Sequence, residues 1–295
     1  MKTWIRRGLI AVFVLALLAG GAIWVGLRLG DARHQRVVQV PTLKIELPTD
    51  PASLERGAYL YRSRGCAECH GQNGEGRVFA DNQKDLRLAG PHIGPHSALT
   101  AGYQVEDWVR VIRHGVKPAG HPVFVMPSED YNRLSRADLG ALVAHLQRLP
   151  ATQGGPAVLE LPLPARVMYG FGALKDAAEK IDHTLPPSEP IADDGSARHG
   201  EYVAQMCLGC HGPGLVGGRI PGAPPDWPPA ADLRRGGPMK LYASTEQFTS
   251  MMRTGKRPDG SAVSPVMPFT ALKELSDIDL RGLHAYLQTL PPAAP

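Results

Sequence analysis

Cys66-Ala67-Glu68-Cys69-His70 and Cys207-Leu208-Gly209-Cys210-His211 carry the same Cys-x-x-Cys-His pattern, 141 positions apart. The same offset recurs around them. Met126-Pro127 returns as Met267-Pro268, and Leu149-Pro150 returns as Leu290-Pro291. Leu134 to Leu139 matches Leu275 to Leu280. Gly57 and Gly200 are 143 apart and Arg113 and Arg253 are 140 apart, so loops differ by a residue or two. Such self-similarity means two copies of one domain. A chain of 295 residues also has room for two domains of roughly 100–150 residues. The copies are placed at residues 53–150 and 197–295, with a linker over 151–196.

Each copy reads as mostly helical, so the expected fold class is all-α. Asp50-Pro51 supplies an N-cap and a first-turn proline ahead of Leu54 to Tyr61. Ser196 has the same place before Glu201-Tyr202-Val203. Middle helices end at Gly115 and Gly255. The last helix opens with a capping box in both copies, Ser135 with Asp138 and Ser276 with Asp279. Leu139, Leu142, Val143 and Leu146 then repeat at helical spacing, as do Leu280, Leu283 and Leu287.

Aromatic residues make up 6% of the chain, against 33 Gly and 28 Pro. Two loop-rich domains so short of rings have thin cores, and something besides side chains is expected to fill them. Hydrophobic residues at 43% exclude a disordered chain. A net charge of +4 with scattered Lys and Arg argues against nucleic-acid binding.

The pentapeptide carries the chemistry. Cys-x-x-Cys-His is the attachment sequence of c-type haem. Two thiols add to the two vinyl groups of one porphyrin, and the adjacent imidazole reaches the iron from the same side. A thioredoxin-like pair would follow a strand in a βαβ unit, and none is visible. Zinc sites place their Cys pairs about 15–20 residues apart, whereas Cys69 and Cys207 are 138 apart. The expectation is two covalent haem c groups, at Cys66 and Cys69 and at Cys207 and Cys210. His70 and His211 would be the first axial ligands.

A carrier haem needs its second axial position closed, by Met or His. Met126 and Met267 are a matched pair, each before a proline. They are the expected thioether ligands, which favour ferrous iron and raise the potential. Met206, Met239, Met251 and Met252 have no counterpart in the first copy. Neither do His92, His96, His114, His121, His145 and His284 recur.

The N-terminus begins with Lys2, Arg6 and Arg7, then an uncharged run from Gly8 to Leu27. Twenty residues suffice for a membrane-spanning helix, so residues 1–30 are read as an anchor and 31–52 as a tether. A cleaved signal peptide ending near Gly20-Gly21-Ala22 is the alternative, but Ile23, Trp24, Val25 and Leu27 carry the run past it. Trp4 and Trp24 sit near its two ends, as an aromatic belt would. The linker has seven acidic and three basic residues and is rich in proline. It is expected to be a solvated strap with a short helix near Ala173–Ile181.

Both halves resemble class I cytochrome c domains, and the whole resembles a membrane-anchored dihaem cytochrome c. Ala89-Gly90-Pro91-His92 is similar to that family's Gly-Pro loop. The resemblance implies that the Pro91 carbonyl accepts the His70 ring N–H; Pro221 and other prolines are open choices in the second copy. Val111 to Gly115 and Met252 to Gly255, each before a Met-Pro, are similar to cytochrome subunits of membrane-bound alcohol and sugar dehydrogenases. The resemblance implies an electron-transfer protein rather than an enzyme, in the bacterial cytoplasmic membrane with both haem domains in the periplasm. Its partner would be a dehydrogenase, a quinol-oxidising complex or a terminal oxidase. A dihaem peroxidase with one open iron is the competing reading, and the paired methionines argue against it.

Overall fold

The computed structural model describes residues 2–224 and 226–292. Met1, Pro225 and residues 293–295, counted above in the anchor and the second copy, lie outside the described residues. The chain is mostly helical. The first copy contains α2 (Pro51–Ser63), α3 (Cys66–His70), α4 (Val105–His114), α5 (Ser128–Tyr131) and α6 (Arg136–Leu146). The second contains α8 (Ala197–Val203), α9 (Leu208–His211), α10 (Thr245–Thr254), α11 (Phe269–Leu272) and α12 (Asp277–Thr289). Ahead of both lies α1 (Lys2–Gln35), and α7 (Leu163–Gly170) lies between them.

In each copy the first helix crosses the last at a glycine. A Cβ on Gly57 of α2 would lie 2.0 Å from the Ala141 carbonyl oxygen of α6. A Cβ on Gly200 of α8 would lie 1.8 Å from the Gly282 carbonyl oxygen of α12. No side chain fits at such distances, so the repeated glycines are the condition for the crossing. The apolar stripes then face inward. Leu139 and Val143 are fully buried beside Leu60 and Trp108, and Leu280 and Leu283 are buried beside Met252 and Phe248.

The N-caps form as the sequence suggests. Asp50 accepts from the Ser53 N–H at 2.9 Å, Ser135 from Asp138 at 3.1 Å and Ser276 from Asp279 at 3.0 Å. The reciprocal half of the last two capping boxes differs from expectation. Neither aspartate turns back to its own cap residue. The Tyr202 hydroxyl of the second copy sits there instead, accepting from Ser135 N–H at 3.1 Å and donating to Asp138 at 2.7 Å. Tyr59 of the first copy does the same at the other end, accepting from Ser276 N–H at 3.0 Å and donating to Asp279 at 2.5 Å. The two copies thus meet through a reciprocal, pseudo-twofold contact.

Charges complete that interface. Arg56 grips Asp138 with two hydrogen bonds of 2.8 Å. Buried Arg64 lies 3.3 Å from Asp279, and His199 lies 3.1 Å from the same carboxylate's other oxygen. Burial alone would raise the Asp138 carboxyl; the hydrogen bonds from Arg56 and Tyr202, with the Arg56 charge, outweigh it and hold Asp138 below its usual range.

A small antiparallel sheet was not anticipated. Strands β1 (Arg77–Asp81), β2 (Arg87–Gly90) and β3 (Val158–Glu160) lie in that order, with Arg77 opposite Gly90 and Arg87 opposite Glu160. Four of the five β1 residues are exposed, so no apolar alternation marks it. The hairpin is set by polar turn chemistry, with the Asn82 side chain accepting from the N–H groups of Lys84, Asp85 and Leu86.

The linker is not a solvated strap. It supplies β3 to the first copy, and its helix is α7 rather than one over Ala173–Ile181, where only a single 3-10 turn forms at Ala178–Lys180. Asp176 is fully buried, held by Arg36 at 2.6 and 2.9 Å and by the Tyr169 hydroxyl at 2.8 Å. The tether is also packed: Leu43 is buried in the first core, and Ile45 and Leu47 lie against it.

Three outcomes follow from this packing. Gly200→Ala, ordinarily favourable in a helix by about 1 kcal/mol, should instead cost about 1–3 kcal/mol through overpacking, read as a lower Tm. Tyr202→Phe leaves the Ser135 N–H without its partner and should cost roughly 1–3 kcal/mol in denaturant unfolding. The Asp138 contribution has a defined pH window. Its pKa is lowered on folding, so the contribution is complete above the unfolded value of about 4 and fades as pH falls through the lower folded value. Asp138→Asn should flatten that acid limb.

Candidate haem sites

The first Cys-x-x-Cys-His segment forms a short helix entered from a left-handed glycine, whereas in the second Cys207 closes a 3-10 turn (Ala204–Cys207) that continues α8, and α9 begins at Leu208. Gly65, with φ of 78°, leads into α3, and Gly71, also at 78°, ends it. Two tyrosines of the first copy brace the segment. The Tyr61 hydroxyl donates to the Gly71 carbonyl at 2.6 Å, and the Tyr131 hydroxyl donates to the Arg64 carbonyl at 2.8 Å.

β2 delivers the loop that meets α3. Gly90 lies so close to it that a Cβ would come within 2.2 Å of the Cys69 carbonyl oxygen. The next residue places its carbonyl 3.0 Å from Nδ1 of His70. A carbonyl only accepts, so Nδ1 carries the proton and Nε2 keeps a lone pair for a metal. The second copy reaches the same result with another residue. His211 Nδ1 donates to the Ala231 carbonyl at 2.7 Å. Among the described residues, none of the candidate prolines does this. The spacing held the clue, since Ala231 follows His211 by 20 positions and Pro91 follows His70 by 21.

Cys66 and Cys207 lie against the two cores, Cys69 is partly buried and Cys210 is exposed. Burial pushes Cys66 and Cys207 up to about 12 and Cys69 up to about 11. Redox-active and zinc-binding cysteines need the opposite, a stabilised thiolate. Desolvation lowers the pKa of His70 and His211 and favours neutral imidazole, opposed in part by the carbonyl contacts. Cys66 and Met126 border the first core; Cys207 and Met267 border the second. This donor set, two thiols, an imidazole with a free Nε2 and a thioether at the edge of one core, fits a covalent haem in each copy.

The other histidines have different surroundings. His114 Nδ1 meets His183 Nδ1 at 3.0 Å, and burial pushes His114 down to about 4. His284 contacts the Tyr242 carbonyl and the Thr245 hydroxyl. Asp193, His199 and Asp279 bring possible ligand atoms within 4.8 Å of one another. Arg64 already neutralises Asp279 there, which makes this an ion-pair network of the interface.

The two attachment segments lie at the contact between copies. The turn after each Met-Pro packs on the other copy's attachment region: α5 on α9, and α11 on α2 and α3. The Asp130 carboxylate accepts from the Gly209 N–H, inside the second attachment sequence, at 2.7 Å. Gly209 is small because a Cβ there would stand 3.0 Å from that carboxylate. These contacts were not legible in sequence, because Asp130 has Ala271 as its counterpart and only the docking pairs it with Gly209.

Comparison with known proteins agrees with this chemistry. The chain matches the family described as cytochrome c oxidase, cbb3-type, subunit III over residues 52–146 and 195–287. It belongs to that family and is a c-type cytochrome, an electron-transport protein with covalently bound haem. It is 25% identical to the fructose dehydrogenase cytochrome subunit of Gluconobacter japonicus over 279 residues, covering 84% of this chain and 56% of that one. It is 27% identical to the cytochrome c subunit of alcohol dehydrogenase (quinone) from Gluconobacter oxydans (strain 621H), covering 82% and 55%. The cytochrome c subunit of gluconate 2-dehydrogenase from Pantoea cypripedii is 24% identical, covering 81% and 60%. The chain thus spans little more than half the length of these relatives.

Asp130→Ala should leave the Gly209 N–H without its acceptor and cost roughly 1–3 kcal/mol. The measurement is the midpoint of denaturant unfolding against the parent protein.

Proposed function

We propose that the protein is a dihaem electron carrier built from two tandem class I cytochrome c domains, residues 53–150 and 197–295. The observation that carries this is the matched pair of histidines, each with Nδ1 tied to a backbone carbonyl and Nε2 left free. Cys66 and Cys69 hold one haem and Cys207 and Cys210 the other. His70 with Met126, and His211 with Met267, are the axial ligands, and Pro91 orients His70. When bound, haem supplies a reversible one-electron ferric–ferrous couple. The chain's part is to keep the axial positions closed and water away. His–Met ligation favours the ferrous state. Docking both attachment segments at one interface supports exchange between the two haems.

The N-terminal helix supports a membrane position. It is long and apolar enough to cross a bilayer, with a mean hydropathy of 2.5 over its most apolar stretch. Residues 1–30 anchor the chain in the cytoplasmic membrane, and the haem domains face the periplasm. By similarity to dehydrogenase cytochrome subunits, the redox partner is a membrane-associated or periplasmic dehydrogenase, with a quinol-oxidising complex or terminal oxidase as the other end of the transfer.

The reduced protein should show two low-spin c haems. Met126→Ala should open the first iron to exogenous ligands and lower its potential, leaving the second nearly unmoved, in a spectroelectrochemical titration. An unmoved first potential rejects Met126 as ligand. A stable high-spin iron in the parent protein, with peroxide turnover, overturns the carrier reading in favour of a peroxidase.

A further inference from the structure

The linker helix α7 is fastened to the end of α1. A Cβ on Gly170 would fall within 1.8 Å of the Gly26 carbonyl oxygen, and one on Gly26 within 2.9 Å of the Phe171 ring and of Val167. Gly30 lies against the Arg166 carbonyl, where a Cβ would come within 3.3 Å. Small residues at four-residue spacing on α1 thus admit α7 into close contact. Below this junction, two salt bridges lock it: Arg33 to Glu179 at 2.7 Å and Arg36 to Asp176 at 2.6 Å. The position of α7 along α1 is therefore set by the fold.

That position has a physical meaning. The apolar run of α1 from Gly8 to Leu27 measures about 30 Å as a helix, the thickness of the hydrocarbon layer. Its far end coincides with Gly26, where Phe171 packs. Trp24 is exposed there, with the Arg28 guanidinium 5.6 Å from its ring centre, the pairing of ring and cation found at a bilayer surface. Leu163 and Met168 of α7 and the Phe171 that follows it are turned outward, exposed by 47%, 45% and 55%. Arg166 is the only charged residue in α7. Phe171, packed on Gly26, continues the exposed apolar surface of α1, and Met168 and Leu163 extend it along α7.

We propose that α7 with Phe171 is a second membrane contact, lying in the boundary between lipid headgroups and acyl chains where α1 leaves the bilayer. The occupant of its apolar face is lipid, because that face is held at the depth where the bilayer surrounding α1 begins. An interfacial helix of this kind buries its apolar side about 5–10 Å into that boundary. The consequence is orientation. The linker joins the haem domains to α1 through α7, so the two haem sites are held at one height and tilt above the bilayer rather than swinging on a free tether. The inference rests on the reading of α1 as a membrane helix.

The test uses the full-length haem-loaded protein in lipid nanodiscs. All four native cysteines are consumed by haem in the proposed reading, so one added cysteine takes a single nitroxide. Leu163→Cys, Met168→Cys and Phe171→Cys are compared with Val14→Cys on α1 and Val216→Cys on the second copy, all exposed positions. Collision with oxygen is measured against collision with a water-soluble nickel chelate. The expected oxygen-to-nickel ratio at 163, 168 and 171 is several-fold above that at 216. A ratio at these three equal to that at 216, with a lipid-buried label at 14, overturns the proposal and leaves the anchor standing. Labels at all three shielded from both reagents also overturn it, since a protein partner or second copy then covers the face. A water-exposed label at 14 rejects the anchor itself.

Discussion

The contact on which the arrangement of the two copies depends is a tyrosine hydroxyl set into a helix N-terminus. A last helix that begins Ser-x-x-Asp ordinarily closes its own capping box. Here the aspartate leaves its serine N–H open, and the opposite copy's Tyr59 or Tyr202 enters between them. Each hydroxyl accepts from the cap and donates to the carboxylate, so both of its hydrogen-bonding functions are used. The bond satisfies groups that would otherwise be buried without partners, which is why the interface is specific in register. Two such contacts related by a pseudo-twofold axis leave little freedom of rotation between the copies.

That register brings the haem-attachment segments into the same interface. The turn after each Met-Pro leans on the other copy's attachment region, and Asp130 reaches directly into the second. A group on the methionine side of one site is thereby in mechanical contact with the cysteine side of the other. The interior ion pair of Arg64 with Asp279 is supported by the Tyr59 hydroxyl, which donates to the same carboxylate. In the proposed dihaem reading this stiffness fixes the spacing of the two redox centres.

The linker and tether extend the same logic toward α1. A segment rich in proline and acid could have been a flexible spacer. It instead adds a strand to the first copy, buries Asp176 against Arg36 and places α7 on the end of α1. The acidic excess of the linker is partly spent on the arginines that follow the apolar run.

Chemistry and repeat were readable from the chain alone, because covalent attachment demands a contiguous pentapeptide and helices demand local periodicity. Asp50, Ser135 and Ser276 cap the helices they precede, and the twin glycines Gly57 and Gly200 mark the crossings. The residue holding His211 could be sought only by its spacing from the histidine, since a backbone carbonyl can come from any residue type and Ala231 carries no signature of its own. The sheet was hidden because its strands are short and exposed. The reciprocal tyrosines, Asp130 on Gly209, and α7 on α1 join positions far apart in sequence. Their partners are chosen by docking geometry, which local pattern does not encode. What the sequence determined by itself was the repeated Cys-x-x-Cys-His pattern and the helices that frame it. What tertiary structure decided was how those segments face each other and how they are held to α1, because both depend on hydrogen bonds and close packing between segments that no local rule connects.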